Sequence, residues 1–438
     1  MEKHYLGWHK LDNSALIYPM LMTDEKQNIF RITYQMSSIV NPAILNRAVE
    51  RAFERFPSFK VKLMKGVFWY YFELNEQAFK VVELDDIQLK RINFRKNNEY
   101  CFRISYYNKL IVADFFHALC DGTGGSEFLK CVIYYYLRLL SLDVEDEGMV
   151  MTKDTPIDLR EFEDSFTANF NKTKLNDLKI HSLTGDAAYH IDGELINKSY
   201  GDNLIHIYCN SQSVLGVTKG IGCTVTEFIG GAFCLALYRA QIEGKLFDTK
   251  PFQILCPINL RKMFDSVSLK NFSLFSRVSV PTKDGVTLEN AIKCFRESLK
   301  RDNTKEMMQE KINTTVMGEK FFLFRILPLV VKQFIFSFSN LFVGKSNKTA
   351  TVSNIGISKI PKSMTPYIEN IAYSISVNAK TPISLTVGSY CDVMCITFTS
   401  KLKSTNIEKE FIKILTDFNI ECKISSNTVE KKYEMQKL

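Results

Sequence analysis

The spacing of apolar and polar positions along the chain predicts alternating strands and amphipathic helices. Apolar residues recur at helical spacing over residues 42–56, and Asn41 supplies an N-cap before them. A broad apolar face over 124–140 predicts a second helix of the same kind. Two short apolar runs, 102–107 and 110–116, are separated by Asn-Lys and predict a β-hairpin between the helices.

The second half of the chain repeats this mixture after an irregular stretch. Residues 141–203 are acidic at first and then punctuated by Pro, Asn, Ser and Gly, which predicts a crossover without long elements. Beyond it, the pattern predicts further elements: strands at 204–209, 252–256, 272–280, 371–377, 383–387 and 393–399, and helices at 226–241, 288–300 and 407–418. We therefore predict an α/β fold (α+β, two-layer) with an N-terminal half at 1–175, a crossover at 176–203 and a C-terminal half at 204–438.

Composition supports two packed cores and excludes some partners. The chain has 438 residues, of which 46% are hydrophobic, enough to fill two domains. The net charge of +8 comes without a dense basic run, so we expect no nucleic-acid binding, whereas an anionic small ligand is compatible with it. The 11 cysteines form no CxxC pair and the first residues lack an apolar signal core, so we expect free thiols and a cytoplasmic protein.

One apolar segment, at 321–343, raises the question of a membrane span. Arg325 and Lys332 interrupt it with charges, which are costly inside a bilayer, and Pro328 breaks or kinks a helix. We predict two short buried helices here and no transmembrane span. Peripheral membrane contact stays open.

The candidate chemistry lies at positions 117–122, which are His-Ala-Leu-Cys-Asp-Gly directly after the predicted strand 110–116. Histidine is the side chain best suited to accept a proton near neutral pH, so His117 is a candidate general base. Gly122 is expected to allow a tight turn where a Cβ would clash. On residue type alone a structural histidine is the simpler interpretation, and the surrounding pattern favours catalysis.

This stretch resembles the HxxxDG motif of the acyl-CoA-dependent acyltransferases related to chloramphenicol acetyltransferase, which include BAHD enzymes and peptide-synthetase condensation domains. Further similar stretches are Pro-Ile-Asn-Leu-Arg at 257–261 with Asn-Phe-Ser at 271–273, Ser-Asn-Ile-Gly at 353–356, and the opening segment 10–19. Their order and spacing are similar to the bacterial alcohol acetyltransferase-like branch, over nearly the whole chain. The resemblance implies two chloramphenicol-acetyltransferase-like domains with the active site between them.

The resemblance also implies the reaction and the residue roles. It implies acyl transfer from acyl-CoA, with acetyl-CoA as the expected donor, to a small-molecule alcohol by direct attack, with His117 as base and no metal. In the superfamily the motif's aspartate pairs with a distant arginine, so Asp121 is expected to bond to Arg261 and to be structural. Ser353 and Asn354 are candidate donors to the oxyanion or the acceptor, and polar residues satisfied by the backbone are an equal alternative.

Departures from the family pattern bear on the alternatives. Phe116 stands where many condensation domains have a second histidine, and we expect no adjoining carrier or adenylation domain. This weakens an amide-forming N-acyltransferase, which stays open beside a non-catalytic thioester- or lipid-binding relative. Weaker still are a metal site on His117, Cys120 and Asp121 and a Cys120 nucleophile.

Three expectations complete the prediction. We expect a monomer. We expect an apolar channel between the domains for an acyl chain or an acceptor, lined partly by the apolar segment 321–343, with simple packing of this segment against the second sheet as the alternative. The other histidines have no repeated spacing, and His206 is expected to be structural; the full set is His4, His9, His181, His190 and His206.

Overall fold

The structure is a computed structural model, and it describes residues 7–22, 28–86, 88–171, 187–197, 201–243, 250–320, 326–334 and 347–427. The strands of these residues are β1 (Trp8–Lys10), β2 (Ile29–Met36), β3 (Val61–Lys65), β4 (Tyr70–Leu74), β5 (Val82–Glu83), β6 (Phe102–Tyr107), β7 (Leu110–Phe116), β8 (Asn203–Asn210), β9 (Phe252–Asn259), β10 (Ser273–Val280), β11 (Ala350–Ile357), β12 (Ile368–Ile375), β13 (Ile383–Tyr390), β14 (Val393–Ser400) and β15 (Cys422–Ser426).

The helices of the described ranges accompany these strands in both halves. Those that lie wholly within the described ranges are α1 (Ile17–Met20), α2 (Pro42–Arg55), α3 (Gly122–Leu139), α4 (Ser165–Ala168), α5 (Ser211–Ile221), α6 (Val225–Gln241), α7 (Arg261–Phe264), α8 (Leu288–Asp302), α9 (Lys305–Lys320) and α10 (Asn406–Asp417). Short 3-10 turns lie at Pro57–Phe59, Arg95–Asn97, Leu159–Phe162 and Lys362–Tyr367.

The N-terminal core is a five-stranded sheet covered by α2 and α3. Its strand order is β12-β2-β7-β6-β5, and every pair except β5–β6 is antiparallel. The Asn41 side chain caps α2 by accepting from two backbone N–H groups, as predicted from its position before the apolar repeat. The ring of Phe128 in α3 stacks on the ring of Phe59, which ends the 3-10 turn after α2, with centroids 4.3 Å apart. Both rings belong to the core cluster of this domain.

The C-terminal core is a seven-stranded sheet with the order β10-β9-β11-β13-β14-β8-β15. Its central pairs β9–β11 and β11–β13 are parallel and the others are antiparallel. Apolar residues of α6, α8 and α10 bury against the strands in one continuous cluster. A smaller cluster joins α4, α7 and α9, and it contains Leu260 and Phe272, which flank the segment that reaches the first domain. A third sheet, β1-β4-β3, lies at the N-terminal side.

Strand β12 corrects the predicted division of the chain. It belongs by sequence to the predicted C-terminal half 204–438, yet it pairs with β2 and completes the N-terminal sheet. Without β12, the N–H and C=O groups along one side of β2 would have no partners, which is costly for a buried strand. The C-terminal half therefore contributes one strand to the N-terminal sheet. The local sequence pattern predicted this strand but could not show which sheet it joins.

Helix lengths in the described ranges bear on the membrane question. No single helix there is both long and apolar enough to cross a bilayer; α5 and α6 pass the length and composition test only as a pair, which is bent by 86°. Most of the segment 321–343 lies outside the described residues, including Arg325.

Candidate active site

The imidazole of His117 lies at the end of β7, in a cavity between the two sheets. Its backbone N–H donates to the carbonyl of Asn28, at a distance of 3.0 Å. The ring stacks on Tyr18, with centroids 4.9 Å apart, and meets the edge of Phe30 at 5.2 Å. The cavity has a volume of about 1090 Å³, and residues of both domains line it, among them Tyr34 and Ser353. A partly buried histidine therefore faces a space large enough for a small substrate.

Burial keeps the His117 ring neutral. Removal of water lowers its pKa below the ordinary value of 6.5, while a hydrogen bond to Asn271 and the charge of Asp121 oppose the shift in part. The Nδ1 atom lies 2.8 Å from the Oδ1 atom of Asn271. A neutral ring can accept a proton, so the lowered pKa suits a base that works at neutral pH.

The pH dependence of the reaction should follow from this lowered pKa. Because the neutral form persists as the pH falls, kcat/KM should still exceed half of its plateau at pH 6.5, and the acidic limb should have its midpoint below that value. Initial rates with a fixed acyl donor and acceptor, from about pH 5 to 8, measure this midpoint. A midpoint above 6.5 would show that the protein stabilises the charged form of the His117 ring. That result would contradict the assignment of His117 as a neutral base.

Asp121 faces away from the histidine and bonds to Arg261, as the resemblance implied. The two guanidinium nitrogens Nη1 and Nη2 lie 2.8 and 2.9 Å from the two carboxylate oxygens. The carboxylate also caps α3 by accepting from the N–H groups of Thr123 and Gly124, and it accepts from the N–H of Phe272. Burial alone would raise the pKa of Asp121, but the Arg261 charge and these donors hold it below its ordinary value.

Arg261 ties the two domains together through this pair. Its Nε donates to the carbonyl of Ser268 at 2.8 Å, and its Nη2 donates to the carbonyl of Lys270 at 2.6 Å. Both residues of the ion pair are buried, with 5% of Asp121 and 8% of Arg261 exposed. The pair therefore holds the 268–272 segment of the C-terminal half against the start of α3, directly behind His117.

The predicted role of Gly122 is wrong, and Gly124 takes it instead. A Cβ on Gly122 would meet only the Cδ1 atom of Ile355, at 3.9 Å, and its φ is not in the left-handed region. Gly122 lines the cavity, so its missing side chain leaves space there. At Gly124, however, a Cβ would lie 2.1 Å from the carbonyl oxygen of Leu269. This close backbone approach brings the 268–272 segment to the helix start.

Substitution of these two glycines should therefore have different effects. Gly124→Ala should destabilise the protein by about 1–3 kcal/mol, because the new methyl group meets backbone that cannot move aside. Gly122→Ala is the matched control and should leave the melting temperature nearly unchanged. Thermal unfolding of both variants measures the difference. Equal melting temperatures would mean that the contact between Gly124 and Leu269 is not tight.

The two candidate oxyanion donors have different surroundings. Asn354 is engaged at both ends of its amide: Nδ2 donates to the hydroxyl of Thr226 at 2.9 Å, and Oδ1 accepts from the N–H of Gly356 at 2.9 Å. These bonds hold the bulge in β11, where Gly356 has a φ of +83°. Ser353 is buried and lines the cavity. Of the two, Ser353 is the better placed to contact a reacting group, and its role stays a prediction.

The weaker alternatives conflict with the geometry. The Cys120 thiol is fully buried, and burial and nearby Asp121 raise its pKa well above the ordinary value, so it is a poor nucleophile. The Asp121 carboxylate is occupied by Arg261 and by backbone N–H groups, which leaves it unsuited to bind a metal. Outside the site, His206 in β8 bonds through Nδ1 to the hydroxyl of Thr397 at 2.9 Å, consistent with a structural role.

Residues 326–334 are the described part of the segment that was predicted to line an apolar channel. None of these residues lines the cavity; instead Lys332 donates to the carbonyl of Phe68 and its ammonium lies over the Trp69 ring. The helix before this segment, α9, supplies Thr314, Thr315, Gly318 and Glu319. The lining also mixes aromatic rings with charged side chains, including Arg31, Glu127 and Lys130.

Sequence reasoning missed two residues that contact the histidine ring, Asn271 and Tyr18, and the carboxylate that holds Asn271, Asp12. Asn271, Asp12 and Tyr18 all lie in stretches quoted for the resemblance, yet no role was assigned to them. Their place in the motifs was the available signal. Only the folded chain brings the segments 10–19, 117–122 and 271–273 into contact.

Comparison with solved structures shows the fold. A trichothecene 15-O-acetyltransferase from Fusarium sporotrichioides matches with a TM-score of 0.60 at 12% identity, over 94% of each chain. The starter condensation domain of rhizomide synthetase matches with a TM-score of 0.54 at 11% identity, over 94% of this chain and 96% of that one. TRI101 of F. sporotrichioides, determined with coenzyme A and T-2, matches with a TM-score of 0.60 at 8% identity, over 95% and 99%.

These similarities confirm the predicted fold. The chain has the two-domain α/β fold of the trichothecene acetyltransferase and of the starter condensation domain. No protein-family model matches the chain, and no curated protein sequence matches it. At such low identity the similarity establishes the fold, and the reaction has to follow from the site residues.

Proposed function

We propose that this protein is an acyl-CoA-dependent O-acyltransferase that uses His117 as general base. The observation that carries the proposal is a neutral, partly buried imidazole facing a cavity between two domains. The Asp121–Arg261 pair behind it has the partners that the HxxxDG resemblance implies. The fold is shared with proteins named as an acetyltransferase and a condensation domain, which supports acyl transfer as the reaction class.

The proposed reaction needs only the two substrates and the histidine. The acceptor hydroxyl attacks the thioester carbonyl carbon while a ring nitrogen of His117 takes its proton. The tetrahedral intermediate then collapses, the C–S bond breaks, and the CoA thiolate takes the proton back from the imidazolium. The products are an ester and CoA, and the neutral base is restored. Ser353 is the candidate donor to the oxyanion, because it lines the same cavity.

A second cavity supports CoA as the acyl carrier. It has a volume of about 900 Å³ and shares Pro257, Asn354 and Ile355 with the first cavity. Three cationic side chains, Lys219, Arg296 and Lys300, are part of its lining. CoA carries phosphates at one end and the acyl thioester at the other, so a basic cavity that adjoins the histidine cavity suits its length and charge. The neighbour determined with coenzyme A supports the same donor.

Matched acceptors distinguish the proposed reaction from its alternatives. Acetyl-, hexanoyl- and decanoyl-CoA are each incubated with the protein and with 1-hexanol or hexylamine, which differ only in the nucleophile. Thiol release and product mass are recorded. Alcohol-dependent thiol release with ester formation supports the proposal.

Two other results would contradict it. Faster amide formation with hexylamine would identify an N-acyltransferase of the condensation type. Tight binding of acyl-CoA without thiol release, across a wide pool of alcohols, would identify a non-catalytic binding protein.

A further inference from the structure

A buried carboxylate lies behind the histidine and contacts it through one amide. Asp12 is 1% exposed, in the segment between β1 and α1. Its Oδ1 atom accepts from the N–H of Ala15 at 2.8 Å and from the Ser14 hydroxyl at 3.0 Å. Its Oδ2 atom accepts from the backbone N–H of Asn271 at 3.2 Å and from the Asn271 Nδ2 at 3.0 Å. Asp12 therefore holds both the backbone and the side chain of Asn271.

This contact determines which way the Asn271 amide points. A carboxylate only accepts hydrogen bonds, so the amide must turn its Nδ2 donor toward Asp12. Its Oδ1 acceptor is then directed at the His117 Nδ1 atom, 2.8 Å away. An acceptor at that position requires a proton on Nδ1. In the neutral ring the lone pair is then on Nε2.

The ionisation of Asp12 is part of this arrangement. Burial raises its pKa to about 6, with a further contribution from Asp164, while the Asn271 amide and the charge of Lys270 oppose the shift. At pH values above about 6 the group is therefore charged and acts as an acceptor only. Lys270 is itself buried, and its ammonium donates to the carbonyl of Lys10 at 2.9 Å.

We propose that Asp12 and Asn271 are positioning residues that fix the tautomer and orientation of the His117 ring. The chain Asp12–Asn271–His117 does what a carboxylate does directly in a serine-protease triad, but with an amide inserted between carboxylate and imidazole. The usual aspartate of the motif, Asp121, is engaged with Arg261 and is not available for this role. The inference rests on the proposed function for its catalytic meaning, while the tautomer itself can be measured without turnover.

The tautomer is read directly from ring nitrogen chemical shifts. Protein labelled with ¹⁵N-histidine is examined by long-range ¹H–¹⁵N correlation spectra near pH 7.5, and His117→Ala identifies the His117 signals. We expect the Nδ1–H tautomer in the wild type. We expect Asn271→Leu, which keeps the approximate volume but removes the acceptor, to lose this preference. Thr397→Val is the matched control: it should shift the His206 signals and leave those of His117 unchanged.

Kinetics and an exchange variant complete the test. Asn271→Leu should lower kcat by about 10–100-fold with a smaller change in KM, because substrate contacts remain while the base loses its partner. Asp12→Asn/Asn271→Asp reverses the two groups: the new amide donates to the new carboxylate, which still accepts from Nδ1. This double variant should regain part of the Nδ1–H tautomer and part of kcat, relative to Asn271→Leu.

Defined results would overturn the proposal. If the His117 ring of the wild type were in the Nε2–H tautomer, the proposal would be wrong, even if every variant failed to fold. Retention of the Nδ1–H tautomer in a folded Asn271→Leu variant would show that another group holds the ring. If His117→Ala were fully active, the proposed function would fail, and the spectra would still report whether Asp12 and Asn271 hold the ring.

Discussion

Replacement of His117 with alanine should lower kcat for acyl transfer by about 10²–10⁴-fold while the protein stays folded. In the proposed reaction this ring is the base, and its removal would leave the acceptor hydroxyl with only water to take its proton. The ring stacks on Tyr18 and meets Phe30 at the cavity wall, so its loss enlarges an existing space and leaves the core intact. Initial rates at saturating substrates, with circular dichroism of the same samples, measure both quantities.

A second histidine provides the control for this variant. His206 is partly buried, with a pKa lowered by burial to about 4, but it does not line the cavity. His206→Gln should therefore keep the wild-type kcat. A His117→Ala variant with near-wild-type kcat, or equal losses in the two variants, would contradict the assignment of the base.

Asp121→Asn should lower the free energy of unfolding by about 3–5 kcal/mol, because it leaves the Arg261 guanidinium buried without its counter-charge. The carboxylate also caps α3 and accepts from Phe272, so the contact between the domains should loosen as well. Urea-induced unfolding measures the free energy. Activity should fall with stability, since the 268–272 segment carries Asn271 to the histidine.

An exposed ion pair provides the comparison. Arg51 and Glu54 lie one helical turn apart in α2, with about half of each side chain in water, so Glu54→Gln should change stability little. A loss in Asp121→Asn no larger than in Glu54→Gln would show that the Asp121–Arg261 pair does not hold the domains together.

Local patterns were sufficient to predict much of the fold. The repeat of apolar residues and the Asn41 cap located α2 to within a residue, and the hairpin β6–β7 turns at Asn108, which has the positive φ typical of such turns. The motif at 117–122 placed His117 at a strand end, where the structure has this residue. These features depend on neighbours in sequence, which is why the sequence alone reveals them.

Contacts between distant segments could not be predicted in the same way. The pairing of β12 with β2 and the chain from Asp12 to Asn271 to His117 join segments that are far apart in the sequence. The role of Gly124 depends on the carbonyl of Leu269, which only the folded backbone brings near. Periodicity carries no information about such partners, and the resemblance assigned roles only to the best-known motif residues.

A single-turnover experiment tests the central claim, direct transfer assisted by His117, most directly. Enzyme in excess is mixed with acyl-CoA alone and then with acyl-CoA and an accepted alcohol, and the intact protein, CoA and ester are followed together by mass spectrometry. We predict no acyl adduct on the protein with acyl-CoA alone. Once the alcohol is present, ester and CoA should form in equal amounts, and the rate should be about 10²–10⁴-fold lower in His117→Ala. An acylated protein that forms before the alcohol is added, or ester formation at equal rates in the wild type and His117→Ala, would contradict the mechanism.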